Sequence, residues 1–133
     1  MNRSHAVLVL VILAIGLALV AGGQSTTAGG GFSELHRADV SGASNLEVIM
    51  GLIERPGQSI SAKHYHPGGE FGFVLEGAVT VAAEGKPEVV LEAGASFYQP
   101  PGEWHIVGTS SEGTRTVVFR VLEKGQPMVV GIE

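Results

Sequence analysis

Two histidines one residue apart, His64 and His66, stand just ahead of a carboxylate, Glu70, across the turn-forming Pro67-Gly68-Gly69. In an extended strand alternate side chains share a face, so the two imidazoles lie about 7 Å apart along the chain and can reach one cation. The Pro-Gly-Gly turn lets Glu70 come back to the same centre as an oxygen donor. A third imidazole, His105, follows the Pro100-Pro101-Gly102 turn. Three imidazoles and one carboxylate form a mixed nitrogen and oxygen donor set that suits a divalent Cu, Zn, Fe, Mn or Ni ion. His-x-His is a common pair, and it is the addition of Glu70 and His105 that points to metal. His5 and His36 have no partner at ligand spacing, and the chain has no cysteine, which removes disulfides, thiolate sites and cysteine nucleophiles.

Short strands must position these groups. Leu46, Val48, Met50 and Leu52 alternate along one run that ends at the Pro56-Gly57 turn, and Ile60 to His66 forms a second. Phe71 to Leu75, Val79 to Val81, Val89 to Leu91, Phe97 to Gln99, Trp104 to Val107 and Thr116 to Leu122 follow, divided by Gly- and Pro-containing turns. Runs this short, with turn signals roughly every 8–12 residues, predict an all-β sandwich or barrel. On the Thr116–Leu122 run, Val117, Phe119 and Val121 make an apolar face with Arg120 opposite, which places Phe119, and Met50 on its own strand, toward the interior as candidate substrate-binding walls. Phe73, Tyr98 and Trp104 read as core. Arg115 and Arg120 are the natural clamps for a carboxylate, but an outward Arg120 and a turn-proximal Arg115 predict a largely apolar cavity instead of an anion site. Met128 to Ile132 reads either as an edge strand or as a segment lent to a partner subunit.

A chain of 133 residues has room for one domain with one core. The net charge of −5, with only eight Lys and Arg, argues against nucleic acid, whose phosphates require clustered basic groups. At the N-terminus Arg3 precedes an apolar or small run from Ala6 to Ala21, followed by Gly22 and Gly23. This pattern predicts a signal peptide over residues 1–23, a secreted or periplasmic protein, and no membrane association after its removal. Residues 24–33, rich in Gly, Ser and Thr, read as a flexible linker, and 34–133 as the folded domain.

From Gly57 to Gly77 and from Gly94 to Thr109 the chain resembles the two signature motifs of the cupin family. The first motif is matched at His64, His66, Glu70 and Gly77, with Gly57 one position further from His64 than the family spacing. The second is matched at Gly94, Pro100, Gly102 and His105, with Thr109 where the family has asparagine. The resemblance covers roughly residues 34 to 125. It implies a double-stranded β-helix, or jelly-roll barrel, in which His64, His66, Glu70 and His105 hold one divalent transition metal ion. It also implies a small-molecule ligand, a homodimer, and dioxygenase-like oxidoreductase chemistry in which Glu70 leaves the metal to act as general base. A metal-dependent lyase or isomerase, a non-catalytic metal- or small-molecule-binding module, and a dimerisation scaffold with a vestigial site are the other readings of the same motifs. Folding outside the cytoplasm would favour copper or zinc, by the divalent affinity order.

Overall fold

The structure, a computed structural model, describes residues 31–131. The expected signal peptide and the linker up to residue 30 lie outside the described residues. All regular elements among the described residues are strands: β1 (Gly31–Val40), β2 (Ala43–Arg55), β3 (His64–Tyr65), β4 (Gly69–Ala83), β5 (Val89–Glu92), β6 (Ser96–Gln99), β7 (His105–Glu123) and β8 (Val130–Gly131). No helix among them is long and apolar enough to cross a membrane. Every named strand pairing is antiparallel, as expected for strands joined by short turns.

Fewer and longer strands form than the short runs predict. Phe71 to Leu75 and Val79 to Val81 are two parts of β4, bent at Gly77. Trp104 to Val107 and Thr116 to Leu122 are likewise united, from His105 onward, in β7. In each case the turn residue bends the strand without ending it. Register shifts between β4 and β7 fall next to Gly77, where four residues of β7, from Ser110 to Gly113, are taken up without a β4 partner. The added strand β1 begins at Gly31, so the last three residues assigned to the linker are sheet. Most of β1 is exposed, and it therefore lacks the apolar alternation that marks a half-buried strand.

Strand β7 is the spine of the sheet, with β2 on one side and the first half of β4 on the other. Across these three strands Ile49, Arg120 and Glu70 lie in one row, Gly51, Val118 and Gly72 in the next but one, and Met50, Phe119 and Phe71 between them. Adjacent rows point to opposite faces. The rows containing Val118 and Arg120 are buried, whereas Phe119 and Phe71 are 41% and 50% exposed. Ile49, Val74, Val79, Val118 and Leu122 form the buried apolar core. Each contributes about 1.5–3 kcal/mol through burial.

This arrangement reverses the expected facing of β7. Val117, Phe119 and Val121 are on the outside, Thr116, Val118, Arg120 and Leu122 on the inside. Met50 faces outward beside Phe119, and neither lines the interior cavity. The outer rows carry the larger apolar side chains because the inner rows include the polar groups of the cavity, so hydrophobicity by itself selects the wrong face. Phe73 and Tyr98, expected in the core, are also largely exposed.

Candidate metal centre and cavity

The three imidazoles come together. His64 on β3 is paired directly with His105 at the start of β7, and His66 follows two residues after His64 on the same side of the chain. Ring centroids are 4.3 Å apart for His64 and His105, 5.2 Å for His64 and His66, and 5.3 Å for His66 and His105. One ring nitrogen from each lies within 4.8 Å of the others. All three residues are buried.

The other ring nitrogen of each histidine is already engaged. Nδ1 of His64 donates to the carbonyl of Ala62 at 2.8 Å, Nδ1 of His66 to that of Met128 at 2.8 Å, and Nδ1 of His105 to that of Glu103 at 2.9 Å. A donating Nδ1 fixes the tautomer in which Nε2 carries the lone pair, as in imidazoles oriented for a metal. Burial holds the imidazole of His64 below its usual pKa and brings that of His66 down to about 4, so both rings are neutral at physiological pH. Neutral, buried and oriented nitrogen donors fit a divalent transition metal ion.

The segment that holds His66 is the one expected to be either an edge strand or a partner's. It folds back on its own chain, with Val130 paired to Tyr65 and Gly131 to His64. The C-terminal end thus supplies both an edge strand and the Met128 carbonyl.

Glu70 is buried on β4 beside this trio, with Oε2 3.6 Å from Nε2 of His66, but it is not one of the mutually close donors. The same Oε2 accepts a hydrogen bond from Nε of Arg120. Arg120, expected to face solvent, is only 5% exposed and lies 5.0 Å over the Phe32 ring. The guanidinium is therefore enclosed between a carboxylate and an aromatic face, a satisfied internal ion pair. The sequence places Arg120 outside only through the apolar alternation of β7.

A cavity of about 490 Å³ opens beside the histidines. Phe32, Ile53, Val79, Val81, Phe97 and Val107 form apolar wall, while Arg55, Gln99, Thr114, Thr116 and Arg120 add polar groups. Two glycines make room for the aromatic wall: a Cβ at Gly51 would run into the Phe32 ring and one at Gly72 into the Phe97 ring. Arg55 and Gln99 carry no motif signal.

A family model described as Cupin domain matches residues 52–122. No curated protein matches the sequence significantly. Among solved structures, the fold is similar to a DMSP lyase, DddQ, from Ruegeria pomeroyi, with 22% identity over 81% of this chain and a TM-score of 0.63. It is similar to a cupin-like protein from Thermotoga maritima, with 24% identity over 76% of this chain and 74% of that one, at a TM-score of 0.56. Oxalate decarboxylase from Bacillus subtilis is 15% identical over 78% of this chain, at a TM-score of 0.61. This chain spans 54% of the DMSP lyase chain and 28% of the oxalate decarboxylase chain. At these identities the likeness is one of fold: the curled antiparallel sheet is the jelly-roll, or double-stranded β-helix, that the motifs imply.

Proposed function

Because the chain belongs to the cupin family, we propose that it is a metal-dependent enzyme in which His64, His66 and His105 hold one divalent transition metal ion at the edge of a cavity for a small organic substrate. The observation that carries this reading is the shared orientation of the three rings, each with Nδ1 committed to a backbone carbonyl. Three protein donors leave coordination positions for a substrate, unlike a closed four-ligand structural site. When bound, the metal supplies Lewis acidity that lowers the pKa of a substrate hydroxyl or enol.

The residues around it divide the remaining work. Glu70, buried 3.6 Å from His66 Nε2, is the proton acceptor within reach of a substrate in the cavity. Arg120 donates to that carboxylate and holds it pointed inward. The apolar wall excludes water around the reacting group. In the dioxygenase-like version of this reading, a substrate deprotonated by Glu70 reacts with dioxygen. In the lyase or isomerase version the proton is returned to the same molecule or leaves with a fragment. We further propose that residues 1–23 direct export, which would place metal loading outside the cytoplasm, and cell fractionation tests this.

Elemental analysis of the purified protein, paired with turnover assays in air and under anaerobic conditions, tests this proposal. It predicts about one metal ion per chain, with loss of metal in His64→Ala, His66→Ala and His105→Ala. Equal turnover without dioxygen eliminates the oxygenase version. Metal content unchanged by all three substitutions eliminates the site.

One observation favours a non-catalytic binding module as the second reading. Apart from the imidazoles and Glu70, the titratable groups lining the cavity among the described residues are Arg55 and Arg120, and a guanidinium is a poor general acid or base at neutral pH. A metal-loaded protein that binds organic ligands without converting them would establish that reading.

A further inference from the structure

We propose that Arg55 is an anion-recognition residue, and that the ligand of this cavity is an organic acid with one carboxylate and an apolar body. This deepens the proposed function, since the acid would occupy the cavity beside the three imidazoles.

The described arginines differ in one respect. Arg37 is paired with Glu34 and Glu47, Arg115 with Glu54 and Glu76, and Arg120 with Glu70. Arg55 has neither an ion-pair partner nor a side-chain hydrogen bond among the described residues. It is nevertheless half-buried and lines the cavity together with His64, His66 and His105. A guanidinium removed from water without a partner is costly, and the cost is recovered when an anion occupies the space in front of it. Burial and the neighbouring Arg120 charge disfavour its protonated form, and only Glu70 acts in the opposite direction.

The charge balance of the cavity leads to the same ligand. Glu70, the one carboxylate among the described residues that line the cavity, is already paired with Arg120. Arg55 therefore adds an uncompensated positive charge even before any metal contributes its own. An anion complements that charge. The remaining wall is mostly aliphatic and aromatic, provided by Phe32, Ile53, Val79, Val81, Phe97 and Val107, so it suits an apolar body. One unpaired guanidinium matches one carboxylate through two parallel hydrogen bonds.

The test uses calorimetry on the metal-free and the zinc-loaded full chain. Phenylacetate is the probe, phenylacetamide its neutral counterpart, and propionate and 4-phenylbutyrate bracket the size of the apolar body. The metal-free protein is expected to bind at least one of these acids more tightly than the neutral amide. Arg55→Gln weakens acid binding roughly tenfold to a hundredfold and leaves amide binding unchanged. Arg55→Lys, which retains the charge but loses the planar fork, gives an intermediate loss. Thermal unfolding confirms that both variants fold, and no loss of stability is expected from removing an unpaired charge. Equal acid affinity in wild type and Arg55→Gln, a preference for the amide, or no binding by any of the three acids overturns the proposal. Because the Arg55 effect is read in metal-free protein, it is separable from the metal reading: His105→Ala removes metal but retains Arg55-dependent acid binding.

Discussion

At the scale of single residues, two cavity arginines of one chemical type have opposite roles. Arg120 is enclosed against Glu70 and Phe32, so replacing it with alanine leaves a buried carboxylate unpaired. Arg120→Ala is expected to lower unfolding stability by about 3–5 kcal/mol, measured by urea denaturation. A loss below 1 kcal/mol would show that Glu70 finds another partner or water. Thr109 is a second informative residue. Its hydroxyl donates to the Pro56 carbonyl at 2.7 Å and accepts from the Ser59 amide at 3.0 Å, fastening the segment that leads from β2 toward β3. Where the motif has asparagine, a hydroxyl makes these connections in this chain. Thr109→Ala removes these bonds and the one to the Ser59 hydroxyl and is expected to cost about 1–3 kcal/mol, whereas Thr109→Asn is the milder change. The three histidines were legible as candidate ligands because the His-x-His pair, Glu70 and His105 fall together in the two motifs. Arg55 was not, because a charge without a partner has no sequence pattern.

At the scale of elements, the close approach of three backbone segments fixes the end of the cavity where Arg55 lies. Gly113 has φ +80°, and a Cβ there would fall 2.5 Å from the Arg55 carbonyl oxygen. At Gly77, with φ +73°, a Cβ would run into the Gly113 carbonyl. Gly113→Ala combines a strained backbone with this crowding and is expected to destabilise the chain by about 1–3 kcal/mol. Unchanged thermal stability would mean that the strand bend is not required. The strand boundaries and facing were less legible than the turns. Gly77 and the Ser110–Gly113 segment read as turns because glycine marks both turns and bulges, and only the pairing register separates the two. The inward face of β7 was misread because a ligand cavity places Thr114, Thr116 and Arg120 where a plain core would have aliphatic side chains. Met50→Ala and Phe119→Ala report on that correction: both are expected to leave metal content and acid binding unchanged. A tenfold weakening of acid binding in Phe119→Ala would restore the opposite facing.

At the scale of the whole molecule, one curled sheet performs two tasks with its two faces. Its interior sets three buried imidazoles, one internal ion pair and one guanidinium without a partner among the described residues against an apolar wall, while large apolar side chains such as Phe71, Phe73 and Phe119 remain outside. All-β class followed from the density of turns, but the order in which strands pair required the resemblance, since antiparallel runs of similar length are compatible with many topologies. The C-terminal strand completes the site by returning Met128 to His66. A chain ending at Gln126 is expected to keep its fold but to lose roughly 10- to 100-fold in metal affinity, the usual effect of removing the group that orients a ligand imidazole. The most direct measurement is anomalous X-ray diffraction from crystals of the zinc-loaded protein. A single strong peak about 2.0–2.1 Å from Nε2 of His64, His66 and His105 is the predicted result. A metal peak away from these three nitrogens, or none in protein saturated with zinc, would contradict the proposed centre.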